Sequence, residues 1–168
     1  MENKKLHYVV ATAIIVKDDK LLILKRNEKE KAYSGRWTVP GGKLERSDYE
    51  NKQFTKEKDR NWYCVIEDLI KREIKEETNL EVKDINYLID MAFIRPDDIP
   101  VVVLSYFCSY DNGEVKINND FTDFKWVNLE EAKDYDLIEG IYEELEMVNY
   151  ILKGKEINKL KKFNSKPL

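Results

Sequence analysis

Apolar residues recur along the chain with two different periods, and the change of period marks the predicted elements. Residues 6–16 and 101–110 are rich in β-branched and aromatic side chains and are followed by Asp-Asp and Asp-Asn-Gly turns, which predicts strands. Residues 81–94 form a further strand-like run. In residues 64–80 and 137–152 the apolar spacing is three and four, which predicts two helices. Together these elements predict an α/β/α sandwich with a mixed β-sheet between helices.

The first predicted helix carries a charged stripe beside its apolar one. Glu73 lies one turn before Glu76 and Glu77, and Arg72 precedes it. Positions three and four apart are neighbours on a helix, so these carboxylates repel one another, and the helix dipole near the C-terminus also disfavours them. A divalent cation would remove the conflict, and oxygen ligands of this kind suit Mg²⁺ or Mn²⁺. The alternative is a solvated acidic face with a salt-bridging arginine.

A proline-glycine turn upstream favours the metal-binding alternative. Residues 37–45 are Trp-Thr-Val-Pro-Gly-Gly-Lys-Leu-Glu, and residues 72–80 are Arg-Glu-Ile-Lys-Glu-Glu-Thr-Asn-Leu. In these two segments the sequence resembles the Nudix hydrolase family, whose signature is a Gly-Gly loop followed by a helix carrying Arg-Glu-apolar-any-Glu-Glu. The resemblance implies the α/β/α sandwich of that family and metal-assisted attack of water on a diphosphate linkage.

The resemblance also assigns roles to the charged stripe. It implies that Glu76 and Glu77 bind Mg²⁺ directly, with the backbone carbonyl of Gly41 as a further ligand. Glu73 is then either a ligand or the base that deprotonates the water. Arg72 orients Glu73 through a charge-assisted hydrogen bond.

Further site residues are predicted outside the helix. The family commonly has an acid before its final strand, and Asp120 matches it best, with Asp123 as the second choice. Lys43, beside the glycine pair, either binds substrate phosphate or faces solvent. Arg26 either contacts substrate phosphate or is a solvated strand end.

Three departures from the family pattern stand out. Residues 46–61 form an insertion of about sixteen residues within the motif, longer than ordinary connections. Cys64 occupies the place assigned to the acid that opens the helix, and Asn79 replaces the exit glycine. The insertion is polar and predicts a mobile surface loop, with a lid or a dimer contact through Tyr49 and Phe54 as the alternative.

Composition limits the remaining function classes. The chain has 168 residues, a net charge of −4 and 37% charged residues, which predicts one domain over residues 1–154 and argues against a nucleic-acid partner. Residues 155–168 are a basic tail. One histidine and two cysteines argue against zinc sites and disulfide frameworks. Without a signal peptide or membrane-length apolar run, the chain is expected to be cytoplasmic with no membrane partner.

The function predicted from these observations is Mg²⁺-dependent hydrolysis of a nucleoside diphosphate linked to another group. A nucleoside triphosphate or a modified nucleotide is the favoured small-molecule substrate. The alternative is a catalytically weak Nudix-like domain that binds a nucleotide or ADP-ribose as a sensor. The sequence leaves open whether the chain forms a homodimer.

Overall fold

A computed structural model describes residues 5–155, and within them seven strands and two α-helices form the fold. The elements are β1 (Tyr8–Lys17), β2 (Lys20–Arg26), β3 (Trp37–Thr38), β4 (Gly41–Lys43), α1 (Val65–Thr78), β5 (Glu81–Ile94), β6 (Pro100–Asn112), β7 (Phe121–Val127) and α2 (Ile141–Leu152). The predicted basic tail, apart from Lys155, lies outside the described residues. Among the described residues, no helix is both long and apolar enough to cross a membrane.

The strands form one mixed sheet. Its order is β3-β2-β1-β6-β5, with β4 paired to β1 and β7 paired to β2. β1 and β6 run parallel, and the other pairs are antiparallel. The predicted mixed sheet is therefore confirmed, and β1 lies at its centre with partners on both sides.

A tight turn sets the register of the first hairpin. Asp18 and Asp19 connect β1 to β2 with φ angles of 49° and 59°. Positive φ at both central residues is the geometry of a two-residue turn whose twist matches that of the flanking strands, and aspartate tolerates it. The Asp-Asp turn expected from the sequence is present.

Each face of β1 contributes to a separate hydrophobic core, because successive side chains point to opposite sides of a strand. Ala11, Ala13 and Ile15 are buried in the cluster that contains Leu69 and Ile74 of α1. On the opposite face, Ile14 is buried with Leu145 and Val148 of α2. The two helices thus cover opposite faces of the sheet, as the α/β/α prediction requires.

The second helix begins later than the apolar spacing predicts, at Ile141 rather than at residue 137. The preceding segment pairs with β3 instead: the Trp37 N–H donates to the Asp136 carbonyl at 2.9 Å, and the Ile138 N–H donates to the Trp37 carbonyl at 2.8 Å. Gly140, with φ of 92°, then starts α2. Trp37 is itself buried.

Candidate active site

The glycine strand and the end of α1 are joined by a direct hydrogen bond. The backbone N–H of Gly41 donates to Oε2 of Glu77 at 2.9 Å. Glu77 is buried, and burial raises the pKa of its carboxyl to about 8, with the negative charges of Glu73 and Asp120 adding to the rise. The Gly41 N–H and the positive charge of Arg26 oppose it. One acid of the motif is therefore held in the interior with incomplete charge compensation.

The second carboxylate lies against the glycine pair itself. A Cβ atom at Gly42 would overlap the carboxylate of Glu73, and one at Gly41 would overlap the Ala11 carbonyl and Thr12. Two glycines are needed here because a side chain at either position would overlap β1 or the carboxylate of Glu73. Burial raises the pKa of Glu73, against the opposing effect of Arg72.

The guanidinium group of Arg72 contacts three acidic side chains. Its Nε lies 2.7 Å from Oδ1 of Asp48, its Nη2 lies 2.8 Å from Oε1 of Glu73, and its Nη1 lies 2.9 Å from Oε2 of Glu76. Burial alone would lower the pKa of Arg72, but the hydrogen bond to Asp48 and the charges of the two glutamates raise it overall. Arg72 is thus a fixed cation that neutralises part of the acidic stripe, and it contacts Glu73 as expected.

Asp48 is a site residue that the sequence analysis missed. Its side chain is only 7% exposed, and its Oδ2 accepts the backbone N–H of Glu45 at 2.8 Å. Cys64, where the motif acid was sought, is exposed and starts α1 with φ of 63° and no side-chain capping bond. The acid that faces Arg72 therefore comes from the start of the inserted segment, and not from the position that opens α1. Counting forward from Gly42, rather than backward from α1, could have found it.

The two acids considered before β7 have different surroundings. Asp120 precedes the strand, and its carbonyl accepts the Asn27 N–H at 2.8 Å while its charge contributes to the raised pKa of Glu77. Asp123 lies within β7, in register with Lys25, and forms an ion pair with Lys125 at 3.2 Å. Asp120 is accordingly the acid on the side of Glu77.

The two predicted phosphate-binding cations lie at different parts of the site. Arg26 is tied to Glu30 at 3.0 Å and to the Ala32 carbonyl at 2.9 Å, and its charge lowers the pKa of Glu77. Lys43 extends from β4 so that its Nζ lies 5.6 Å from the ring centroid of Tyr8.

A second cation, which sequence reasoning did not single out, faces the same ring. The guanidinium carbon of Arg95 lies 5.7 Å from the centroid of Tyr8. Tyr8 is 43% exposed, so an aromatic ring with cations beside it is open to solvent next to the glycine strand. Such a group can contact an anionic planar ligand.

The donor chemistry of the site suits a hard divalent cation. Glu73, Glu76, Glu77 and the Gly41 carbonyl offer oxygen ligands, and a cation would compensate the buried carboxyl of Glu77. Across residues 5–155, however, no three acidic, histidine or cysteine side chains are arranged as a ready cation site. Glu76, whose side chain is 56% exposed, contacts Arg72 instead. The residues fit the ion by the chemistry of their oxygen donors.

Comparison with known proteins agrees with this geometry. A family model described as NUDIX domain matches residues 6–146. The nucleoside triphosphatase NudI of Escherichia coli (strain K12) is 27% identical over 138 residues, which cover 76% of this chain and 86% of that protein. The crystal structure of a MutT NUDIX hydrolase from Burkholderia pseudomallei superposes with a TM-score of 0.66 at 24% identity, covering 86% of this chain and 99% of that one.

A further structural neighbour is the NUDIX domain of Shewanella oneidensis NrtR, solved with ADP ribose. It has a TM-score of 0.66 at 18% identity and covers 88% of this chain and 90% of that one. At these identities the two structures show a shared fold, whereas the family match spans most of the sequence. The chain belongs to the NUDIX domain family and is a MutT-like Nudix pyrophosphohydrolase.

Proposed function

We propose that this protein is a Mg²⁺-dependent hydrolase that cleaves a diphosphate linkage in a nucleoside triphosphate or a modified nucleotide. The observation that carries the proposal is the contact of the Gly41 N–H with Glu77, which places the glycine strand beside the acids of α1. Three acidic side chains of one helix, two of them largely buried, have an energetic cost that a bound cation would relieve. A helix serving only stability has no need of them.

Each residue of the site would have a distinct role in the reaction. Glu76, Glu77 and the Gly41 carbonyl would hold Mg²⁺, and Asp120 would complete the acidic side of the site. Bound Mg²⁺ polarises a phosphoryl oxygen and lowers the pKa of a bound water. Glu73, held between Gly42 and Arg72, would be a ligand or the base that accepts the proton of the attacking water.

We assign contact with the substrate phosphates to cationic side chains. Phosphate oxygens are anionic, so they approach an acidic site through cations. Lys43 and Arg26 are the predicted phosphate contacts, and Arg95 with the ring of Tyr8 extends the surface beside Lys43. The relative NudI is named a nucleoside triphosphatase, which supports a triphosphate as the substrate class for this chain.

The test is release of phosphate or pyrophosphate from a nucleotide panel. Canonical and oxidised nucleoside triphosphates, dinucleoside polyphosphates and sugar nucleotides are each incubated with Mg²⁺, with Mn²⁺ and with chelator. Glu73→Gln and Glu77→Gln are compared with Glu67→Gln, an exposed acid of the same helix that pairs with Lys71. We expect metal-dependent turnover that falls by about 10²–10⁴-fold in Glu73→Gln if Glu73 is the base, with no change in Glu67→Gln. Turnover that survives both site variants would contradict the assignment.

Calorimetry with the same ligands and with ADP-ribose distinguishes the sensor alternative from the proposed hydrolase. A sensor would bind ADP-ribose or a nucleotide with measurable heat and release no product, whereas the proposed hydrolase consumes its ligand once Mg²⁺ is added. Whether the chain forms a homodimer stays an open question, and light scattering coupled to size exclusion measures it.

A further inference from the structure

The inserted residues form a packed unit rather than the mobile loop expected from their polarity. The Trp62 ring lies 5.2 Å from that of Tyr49 and 4.8 Å from that of Phe54. The indole N–H of Trp62 donates to the Lys52 carbonyl at 3.0 Å. A compact surface loop whose ends meet and whose own side chains fill it is an Ω-loop. We call residues 49–62 the 49–62 loop.

This loop is joined to the active site at both ends. Asp48, which binds Arg72, immediately precedes it, and α1 begins shortly after Trp62. Within the loop, Nζ of Lys52 forms an ion pair with Oδ2 of Asp68 in the first turn of α1 at 3.0 Å. The contact between Tyr49 and Trp62 therefore joins the residue that follows Asp48 to the segment that leads into the helix carrying Arg72.

Asp48 competes with the glutamates for Arg72. The guanidinium gives its Nε to Asp48 and its two terminal nitrogens to Glu73 and Glu76. If Asp48 withdraws, the cationic group is free to pair more fully with the glutamates. Those are carboxylates of the proposed metal site, so a freed arginine would compete with the metal ion for them.

We infer that Trp62 is a positioning residue, which closes the 49–62 loop so that Asp48 holds Arg72 and leaves the glutamates able to bind a divalent cation. The inference rests on the proposed role of Glu73 and Glu76 as cation ligands. It gives the insertion a function within the site instead of the lid or dimer contact that the sequence suggested as an alternative.

The experiment uses the full chain and two readouts that need no turnover. The first is the solvent exchange rate of the Arg72 Nε–H in metal-free protein, measured by NMR. The second is Mn²⁺ affinity, measured by water-proton relaxation. For Trp62→Ala we expect faster exchange and about tenfold weaker Mn²⁺ binding, in the range seen when groups that support metal ligands are removed. Trp62→Phe, which retains a ring, should restore both towards the values of the unmodified protein.

Two comparisons distinguish positioning from a general loss of structure. Tyr63→Ala removes a neighbouring aromatic that is 58% exposed, and it should change neither readout. Adding Trp62→Ala to Asp48→Asn should weaken Mn²⁺ binding no further, because both act through one contact, and coupled residues are not additive. Phe54→Ala, which leaves the ring of Tyr49 against Trp62, provides a milder variant if Trp62→Ala does not fold, and a smaller change of the same sign is expected.

Unchanged Arg72 exchange in folded Trp62→Ala, or in folded Phe54→Ala if the former does not fold, would overturn the inference. So would full additivity with Asp48→Asn. Failure of the proposed function is a separate outcome. If the unmodified protein binds no Mn²⁺, the metal-dependent function is wrong, and the exchange of the Arg72 Nε–H still decides whether Trp62 positions Asp48.

Discussion

The carboxylate of Glu73 lies so close to the backbone of Gly42 that no side chain fits between them. We predict that Gly42→Ala displaces Glu73 and lowers kcat by about tenfold or more, because a displaced catalytic group loses its geometry. Gly42 does not have a positive φ, so alanine is compatible with its backbone and the fold should survive. Steady-state kinetics and thermal unfolding of the variant are the measurements.

A double variant separates this effect from damage to the sheet. In a Glu73→Ala background the carboxylate is gone, and adding Gly42→Ala should then have little further effect on activity. If Gly42→Ala lowers activity by the same factor in the Glu73→Ala background as in the unmodified protein, Gly42 is needed only for the strand.

The sequence was sufficient for the elements whose signal is local. The apolar spacing predicted α1 over residues 64–80, and the helix spans Val65–Thr78. The sequence did not predict where α2 begins, because residues 136–138 form hydrogen bonds with Trp37, which is about a hundred positions away in the chain. Local periodicity carries no information about such a partner. The family and the enzyme class were also predicted correctly from the motif.

The active site shows the same division between local and distant information. The resemblance to the family motif implied a contact between Arg72 and Glu73, and the structure contains it. The 49–62 loop separates Asp48 from Arg72 in the sequence, and polarity alone cannot reveal the aromatic contact that brings the two ends of this loop together. The sequence analysis therefore sought the missing acid at Cys64, beside the helix, where the structure has an exposed thiol.

The three-way contact of Arg72 makes it sensitive to a change that preserves charge. Lysine has a single ammonium and cannot replace the planar guanidinium that contacts Asp48, Glu73 and Glu76 at once. We predict that Arg72→Lys lowers kcat by about 10–100-fold while KM changes little, as for other groups that orient catalytic residues.

The matched control for that change is Lys71→Arg in the same helix turn. Lys71 pairs only with the exposed Glu67 in the described contacts, so the reverse exchange should leave both kinetic constants unchanged. If kcat falls equally in the two variants, the helix is sensitive to substitution in general, and the guanidinium of Arg72 has no special role.

The cations beside Tyr8 give a prediction about substrate affinity. Lys43 and Arg95 lie near the ring of Tyr8 and have no assigned part in the chemistry. Lys43→Ala and Arg95→Ala should each raise KM for a nucleoside triphosphate several-fold with kcat largely kept, and the difference should shrink at high salt because exposed charges are screened. Lys20→Ala, an exposed lysine at the start of β2, is the control. A fall in kcat at constant KM would instead indicate that these residues act in the chemical step and not in substrate binding.

A second buried acid lies on the opposite side of the sheet from α1. Glu144 of α2 is 5% exposed, and its Oε1 accepts the Ser105 hydroxyl at 3.0 Å. Its Oε2 has no hydrogen-bond partner among the described residues. Burial raises the pKa of this carboxyl to about 7, with a small opposing effect of Ser105. Glu144 therefore keeps its proton to higher pH in the folded protein than in the unfolded chain.

This predicts the pH dependence of stability. Because the pKa of Glu144 is higher in the folded than in the unfolded chain, the folded state binds the proton more tightly, and stability falls as pH rises from about 4.5 to about 7. Glu144→Gln cannot ionise, so it should lose this contribution. The difference in unfolding free energy between Glu144→Gln and the unmodified protein should then shift by about 2 kcal/mol in favour of the variant between pH 5 and pH 8. Urea unfolding of both proteins across this range measures it. A difference that stays constant with pH would mean that Glu144 is ionised at neutral pH in the folded protein, with a counter-charge that compensates its burial.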